Sequence, residues 1–193
     1  MTTTNDQIII DKILKGNKNA FAELVNLYKD LVFSLAIKMT KNREEAEEVS
    51  QDTFIKAYKN LSKFKGDAKF STWLYKITYH ACLDRFKKNA NLYKTDSIDN
   101  NVIHIQSVDD TLQGIERKER AAIMEECLMQ LPEEERTILW FFYYKELSLK
   151  EIIEITNFSE ANIKVKLHRA RKRLLTIVKE TFEPEMIAHY GKK

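Results

Sequence analysis

Apolar side chains recur at intervals of three and four residues through most of this chain, a spacing that predicts helices with one buried face. The longest such run covers residues 21–39, and similar runs cover residues 8–14, 43–61 and 71–88. Glycine and proline, which break helices, number only four and two among the 193 residues. The pattern therefore predicts an all-α fold.

The helical periodicity fades between residues 89 and 115, where asparagine and aspartate are frequent. So long a segment without a helical pattern is uncommon inside a compact domain and is typical of a linker. Helical spacing resumes near Glu116, and Pro132, followed by three glutamates, suits the first turn of a further helix. We therefore expect two small helical domains joined by a flexible, acidic linker over residues 89–115.

Residues 148–175 predict two short helices joined by a tight turn. Ser148 and Glu151 have the spacing of a capping box, which marks the start of the first helix. Asn157 tolerates the left-handed backbone that such a turn needs, and Ser159 is a candidate N-cap for the second helix. That second helix is strongly cationic and has no acidic residue between Glu160 and its end. A helix pair of this kind is typical of a DNA-binding helix-turn-helix.

Helical geometry divides the second helix of this pair into faces. At about 100° per residue, one face is apolar and should be buried; its members are Ile163, Leu167, Ala170 and Leu174. Outward residues near the helix start suit base edges, flanking cations suit phosphates, and an exposed valine suits a thymine methyl group. The candidate DNA contacts are Ser159, Asn162, Lys164, Val165, Lys166, His168, Arg169, Arg171, Lys172 and Arg173.

Charge is distributed unevenly along the chain, although the net charge is only +3. Residues 53–95 carry a net charge of +8, residues 96–135 carry −8, and residues 164–179 hold seven basic and no acidic side chains. Two separate positive blocks predict two contacts with nucleic acid. The acidic segment between them indicates a different task or partner.

The cysteines and the N-terminus exclude several classes of protein. Cys82 and Cys127 are isolated from each other and from any histidine at metal-ligand spacing, so we expect small buried hydrophobes and neither a metal nor a cofactor. The first residues lack the positive start and apolar core of a signal peptide, and no run of about eighteen apolar residues exists. We expect a cytoplasmic protein without a membrane span.

Residues 63–88 interleave aromatic side chains with cations. Trp73 shares a face with Leu74 and Ile77, which indicates a core position. Tyr75, Tyr79 and Phe86 are expected to point the other way, where unpaired bases could stack on their rings while lysines contact phosphates. By composition alone, a helix buried on both sides between its neighbours is supported about equally well.

Three segments together resemble the extracytoplasmic-function (ECF) sigma factors, the two-domain branch of the bacterial sigma-70 family. They are EEAEEVSQDTFIKAYKNLSKFKG, FSTWLYKITYHACLDRFKK and LPEEERTILWFFYYKELSLKEIIEITNFSEANIKVKLHRARKRL. They cover most of the chain outside the termini and the linker. Three matching segments in the right order and spacing are far more specific than a lone helix-turn-helix.

The resemblance implies a role for each part of the chain. Residues 5–88 would bind and help to melt the −10 promoter element, and residues 116–180 would bind the −35 element as duplex. The linker would thread through the polymerase towards the RNA exit path. Lys164, Val165, His168 and Arg169 match the family's −35 readers. Helical geometry agrees for Val165, His168 and Arg169, but it places Lys164 on a flank of the helix.

The resemblance also implies two further sets of contacts. One set would dock on the clamp helices of the largest polymerase subunit, and it comprises Glu48, Gln51, Asp52 and Phe54. The other set would hold the melted −10 strand, with a flipped base in the loop before the fourth helix. The resemblance gives this set Lys65, Gly66, Asp67, Lys69 and Phe70 and places His80 close to the strand. The interleaved aromatic and basic residues add Phe64, Tyr75, Lys76 and Tyr79.

Three residues depart from the family pattern. Ile153 stands where alanine is usual in the first helix of the motif, and Asn157 replaces the usual turn glycine. His80 stands where many relatives carry an asparagine close to the melted strand, so the −10 base preference does not carry over.

Two other classes of function remain to be compared. An autonomous helix-turn-helix regulator would use residues 1–115 to sense a ligand or to dimerise. This function leaves the aromatic-basic block and the acidic patch Glu44–Asp52 unexplained. An enzyme would need a metal or nucleophile site; Glu44, Glu47 and Glu48 share a face without a second ligand-bearing helix. We therefore expect a sigma factor rather than an enzyme, with core RNA polymerase and promoter DNA as partners and an anti-sigma factor as a further candidate.

Overall fold

The computed structural model describes the backbone of residues 4–92 and 112–181, which form eight α-helices and two short 3-10 helices. The α-helices are α1 (Thr4–Leu14), α2 (Phe21–Thr40), α3 (Arg43–Asn60), α4 (Phe70–Leu92), α5 (Leu112–Met129), α6 (Glu133–Tyr143), α7 (Leu149–Thr156) and α8 (Glu160–Thr181). The all-α prediction is confirmed. None of these helices is both long and apolar enough to cross a membrane.

The described helices overlap both ends of the predicted linker. We expected the linker to span residues 89–115, but α4 continues to Leu92 and α5 already begins at Leu112. The rest of the predicted linker lies outside the described residues.

The described helices divide between two compact units. The first holds α1 to α4 together with residues 150–158, and the second holds α5, α6 and α8. The predicted domain limits of 5–88 and 116–180 stay predictions.

The first unit is built around α2, which contacts both α3 and α4. Its core includes Leu24, Val32 and Leu74, each fully buried. Between α2 and α3, Lys41 adopts a left-handed backbone, and the Asn42 side chain accepts a hydrogen bond from Glu45 N at 3.0 Å. This tight connection turns the chain back and leaves the acidic first turns of α3 in solvent.

In the second unit, α8 packs against α6 and α5. The buried Arg136 of α6 donates from Nη1 to the carbonyl oxygens of Met129 and Leu131, at 3.3 and 3.2 Å, at the end of α5. Carbonyls in the last turn of a helix have no partner within the helix, so this guanidinium satisfies them. Burial lowers the pKa of Arg136. The contact fixes the start of α6 next to the end of α5.

Candidate nucleic-acid interface

The turn between α7 and α8 has the predicted geometry. Asn157 has a φ of 59°, the left-handed conformation expected from its place in the sequence, and its N–H donates to Ile153 O at 2.8 Å. Ser159 accepts a hydrogen bond at its Oγ from Asn162 N at 3.2 Å, which confirms its role as the N-cap of α8. The capped N-terminus begins a cationic helix.

The buried and outward faces of α8 are also as predicted. Ile163, Leu167 and Ala170 are buried, and Leu174 packs against the same core. The opposite side carries a line of exposed residues, which we call the reading face: Lys164, Val165, His168, Arg169 and Lys172. Val165 is 46% exposed, so its side chain fills no core. This face offers one apolar and several cationic groups along a single helix.

The two flanks of α8 are engaged by α6. On one flank, Lys166 pairs with Glu134, and Arg173 Nε lies 3.6 Å from Glu135 Oε2. On the other flank, Arg171 Nε donates to the Tyr143 hydroxyl at 2.8 Å and lies over its ring. These partners were not predicted because they lie 28 to 38 residues away along the chain.

Lys164 is engaged within α8 itself. Its Nζ lies 2.6 Å from Glu160 Oε1, one helical turn away, and this hydrogen bond lowers the pKa of Glu160. Both side chains are mostly exposed. An exposed pair of this kind contributes little to stability and exchanges readily for another anion.

The loop before α4 presents its polar residues to solvent. Lys65, Asp67 and Lys69 are exposed, and Gly66 has a φ of 77° that favours glycine. We call residues 64–69 the capture loop. Phe64 is partly buried and packs edge-to-face against Phe70, which ties the start of the loop to the core.

The expectation that the tyrosines of α4 are exposed is wrong. Tyr75 is 4% exposed and Tyr79 1%, and burial raises the pKa of Tyr75. Phe70, also predicted to contact the strand, is 1% exposed in the core. The alternative of a helix buried on both sides is therefore what the structure has, because α4 contacts both α2 and α3. Trp73 packs against the same core, as predicted.

Two residues of the predicted strand site contact the segment 150–158 of the same unit. Lys69 Nζ lies 3.3 Å from Glu151 Oε1, and His80 Nε2 lies 3.2 Å from Asn157 Nδ2. The first contact is an ion pair between opposite charges, whereas the second is a hydrogen bond between the imidazole and a neutral amide. Both side chains would have to release these partners to reach DNA.

The acidic face of α3 is accessible. Glu48, Gln51 and Asp52 are exposed, whereas Phe54 is half-buried and lies edge-to-face against Phe21. Arg85 of α4 pairs with Glu48, a contact that the sequence did not indicate. The exposed carboxylates suit a basic partner.

Other chemistry has little support in the described residues. Cys82 and Cys127 are buried thiols, as predicted. Within residues 4–92 and 112–181, no three histidine, cysteine or acidic side chains form a group that could hold a metal ion.

Comparison with known families gives two matches in chain order. Residues 24–91 match the Sigma-70 region 2 family, and residues 121–174 match the Sigma-70 region 4 family. The first match holds α3, the capture loop and most of α4, and the second holds the reading face of α8.

Curated proteins match over most of the chain. The ECF RNA polymerase sigma factor SigW of Bacillus subtilis is 34% identical over 172 residues, which is 86% of this chain and 92% of that protein. SigM of the same organism is 32% identical over 155 residues, 79% of this chain and 91% of that protein.

Solved structures share the fold at lower identity. The sigma factor RpoE of Bartonella quintana, solved with the anti-sigma factor NepR, has a TM-score of 0.68 at 21% identity and covers 82% of this chain and 96% of that one. CnrH, solved with the cytosolic domain of CnrY, has a TM-score of 0.62 at 22% identity and covers 91% and 97%.

Proposed function

Because this chain belongs to the ECF RNA polymerase sigma factors, we propose that the reading face of α8 recognises the −35 promoter element as duplex DNA. The observation that carries the proposal is the exposed line of Val165, His168 and Arg169 beside a buried apolar face. Such a helix fits a major groove, where an arginine can pair with a guanine edge and a valine can contact a thymine methyl group.

The capture loop is proposed to hold a base of the melted −10 strand. Its exposed lysines can pair with phosphates, and Gly66 lets the backbone turn sharply at the point of approach. Because Tyr75 and Tyr79 are buried in the core, their rings are not available to stack on an unpaired base. Contacts made only after strand opening offset part of the cost of opening base pairs. The polymerase carries out the chemistry, and the sigma factor is proposed to have no catalytic activity of its own.

The exposed carboxylates of α3 are proposed to dock on the clamp helices of the largest polymerase subunit. Opposite charges across an interface speed association and disfavour wrong partners. Asp52→Lys should abolish co-purification with core polymerase, since it reverses a charge at an exposed position. Asp11→Lys reverses a charge on α1 and is the matched control. Wild-type retention of Asp52→Lys on the polymerase would contradict the docking assignment.

Run-off transcription with purified core polymerase tests the proposal as a whole. Addition of this protein should direct initiation at a subset of promoters, whereas the protein alone should bind their duplexes poorly. An autonomous regulator would instead bind a palindromic duplex as a dimer without polymerase. No observation on the chain favours that alternative.

An anti-sigma factor is a further proposed partner. Both similar solved structures hold a protein partner, named as an anti-sigma factor in the case of RpoE. We place the site of action in the cytoplasm, where bacterial RNA polymerase meets the chromosome.

A further inference from the structure

We infer that Glu134 and Glu135 are specificity-determining residues of DNA binding, because they withhold two cations of α8 from the phosphate backbone. The inference rests on the proposed role of α8 in duplex binding and concerns how tightly the factor binds DNA of any sequence. Lys166 and Arg173 are two helical turns apart on one flank of α8, and both face the first turn of α6.

In each of the two ion pairs one partner is largely buried and the other is about half exposed, with Glu134 at 48% and Arg173 at 51%, whereas both partners of the Lys164 pair are mostly exposed. Lys166, which pairs with Glu134, keeps only 19% of its side chain exposed, whereas Lys164 keeps 61%. The Glu135 side chain is 10% exposed, and its Oε2 accepts no hydrogen bond although Arg173 lies near. Solvent and salt screen the attraction within an ion pair less when one of its partners is largely buried than when both are exposed. The carboxylates therefore compete well with DNA.

Withheld cations change the balance between specific and non-specific binding. Each lysine or arginine that neutralises a phosphate releases counterions, and this gain is the same for every sequence. Base readout by the reading face depends on sequence, so the specificity ratio rises when fewer flanking cations reach phosphates. In this way the two glutamates would limit the binding of the factor to DNA outside promoters.

The test is Glu134→Gln in the full-length chain, with binding to a random-sequence duplex measured by fluorescence anisotropy across a salt series. Release of Lys166 should add one phosphate contact, which steepens the slope of log affinity against log salt by about 0.9. The ratio of variant to wild-type affinity should then fall about threefold between roughly 50 and 200 mM salt. Tighter binding at the lowest salt is expected.

Two controls separate this role from a general change of charge or of structure. Glu180→Gln removes the same charge in the last turn of α8 and should leave the slope unchanged. In the double variant Glu134→Gln/Lys166→Gln, the gain should disappear, because no cation remains to be released. A thermal melt checks that each variant is folded. If Glu134→Gln binds the random duplex like the wild type, including no measurable binding by either, the inference is overturned.

Failure of this inference can be told apart from failure of the proposed function. Arg169→Ala should weaken binding of the polymerase holoenzyme to duplexes that the wild-type holoenzyme selects. If that loss is seen while Glu134→Gln leaves the salt slope unchanged, α8 binds DNA but the glutamates do not tune it. If Arg169→Ala has no effect, the proposed −35 role itself is wrong.

Discussion

Two cationic regions, α8 and the segment 63–88, carry similar sequence signals but bury their side chains differently. In α8 the residues predicted to be outward are exposed, including Val165 at 46%. In α4 the tyrosines predicted to be outward, Tyr75 and Tyr79, are buried. Both regions alternate apolar residues with cations, so composition does not distinguish them.

Each of the two helices packs against two others, so the difference comes from how much of the helix surface these neighbours cover. The apolar face of α8 packs against α6 and α5, and helical periodicity then separates core from surface. By contrast, α4 contacts α2 and α3 on separate sides. A helix enclosed in this way buries residues all round, and a tyrosine is then a core residue whose aromatic ring only resembles a stacking platform. The proposed strand-binding role of the first unit therefore rests on the capture loop and no longer on Tyr75 and Tyr79.

The largest expected effect is on stability, at the buried tyrosines of α4. Tyr79→Ala should lower the free energy of unfolding by about 3–5 kcal/mol, because it leaves a ring-sized cavity in the first unit. Lys172→Ala, at an exposed position of α8, should leave it unchanged. Urea unfolding of the full chain measures both. If Tyr79→Ala has normal stability but fails to melt promoters, the core assignment of Tyr79 is wrong and its ring contacts DNA.

A smaller effect is expected at the capture loop. Gly66→Ala should cost about 1 kcal/mol of stability, since an L residue is strained at a φ of 77° and the added Cβ meets only Gln7 Oε1, at an ordinary 3.7 Å. Gly16→Ala is the matched control, because its φ is also positive and its Cβ meets nothing. Permanganate reactivity of promoter thymines should fall for Gly66→Ala alone. Equal reactivity for the two variants would contradict the proposed role of the capture loop in holding the melted strand.

The smallest effect is expected at Val165. Val165→Ala should leave stability unchanged and weaken duplex binding by less than about 1 kcal/mol, the size of one apolar contact with a methyl group. Replacing each −35 thymine by uracil removes its methyl group in turn. At one position this replacement should weaken the wild type and have no further effect on Val165→Ala. Additive losses at every thymine would exclude a direct contact.

Local sequence signals predicted the local structure well. The Asn157 turn, the Ser159 cap and the buried stripe of α8 depend on residues within one or two turns, and all three are confirmed. Such features follow from backbone preferences and side-chain spacing, which a single sequence contains.

Contacts between helices that are distant in the sequence could not be predicted from these local signals. The pairing of Lys166 with Glu134 and of Arg85 with Glu48 joins residues 32 and 37 positions apart, and no periodicity reports such contacts. The burial of Tyr79 likewise depends on which helices surround α4. The docking residues came from the family resemblance and the DNA contacts of α8 from helical geometry together with it, and all of these roles remain predictions.

The most direct test of the central claim, that the reading face recognises the −35 element, is promoter selection from a randomised library by polymerase holoenzyme. Wild-type protein and Arg169→Ala are compared in parallel. We predict that Arg169→Ala loses the preference at one or two base pairs of the upstream element while the −10 preference and core binding stay unchanged, since a good side-chain pair with a base contributes about 1–3 kcal/mol of discrimination. An unchanged upstream preference, or an equal loss of core binding, would contradict the account.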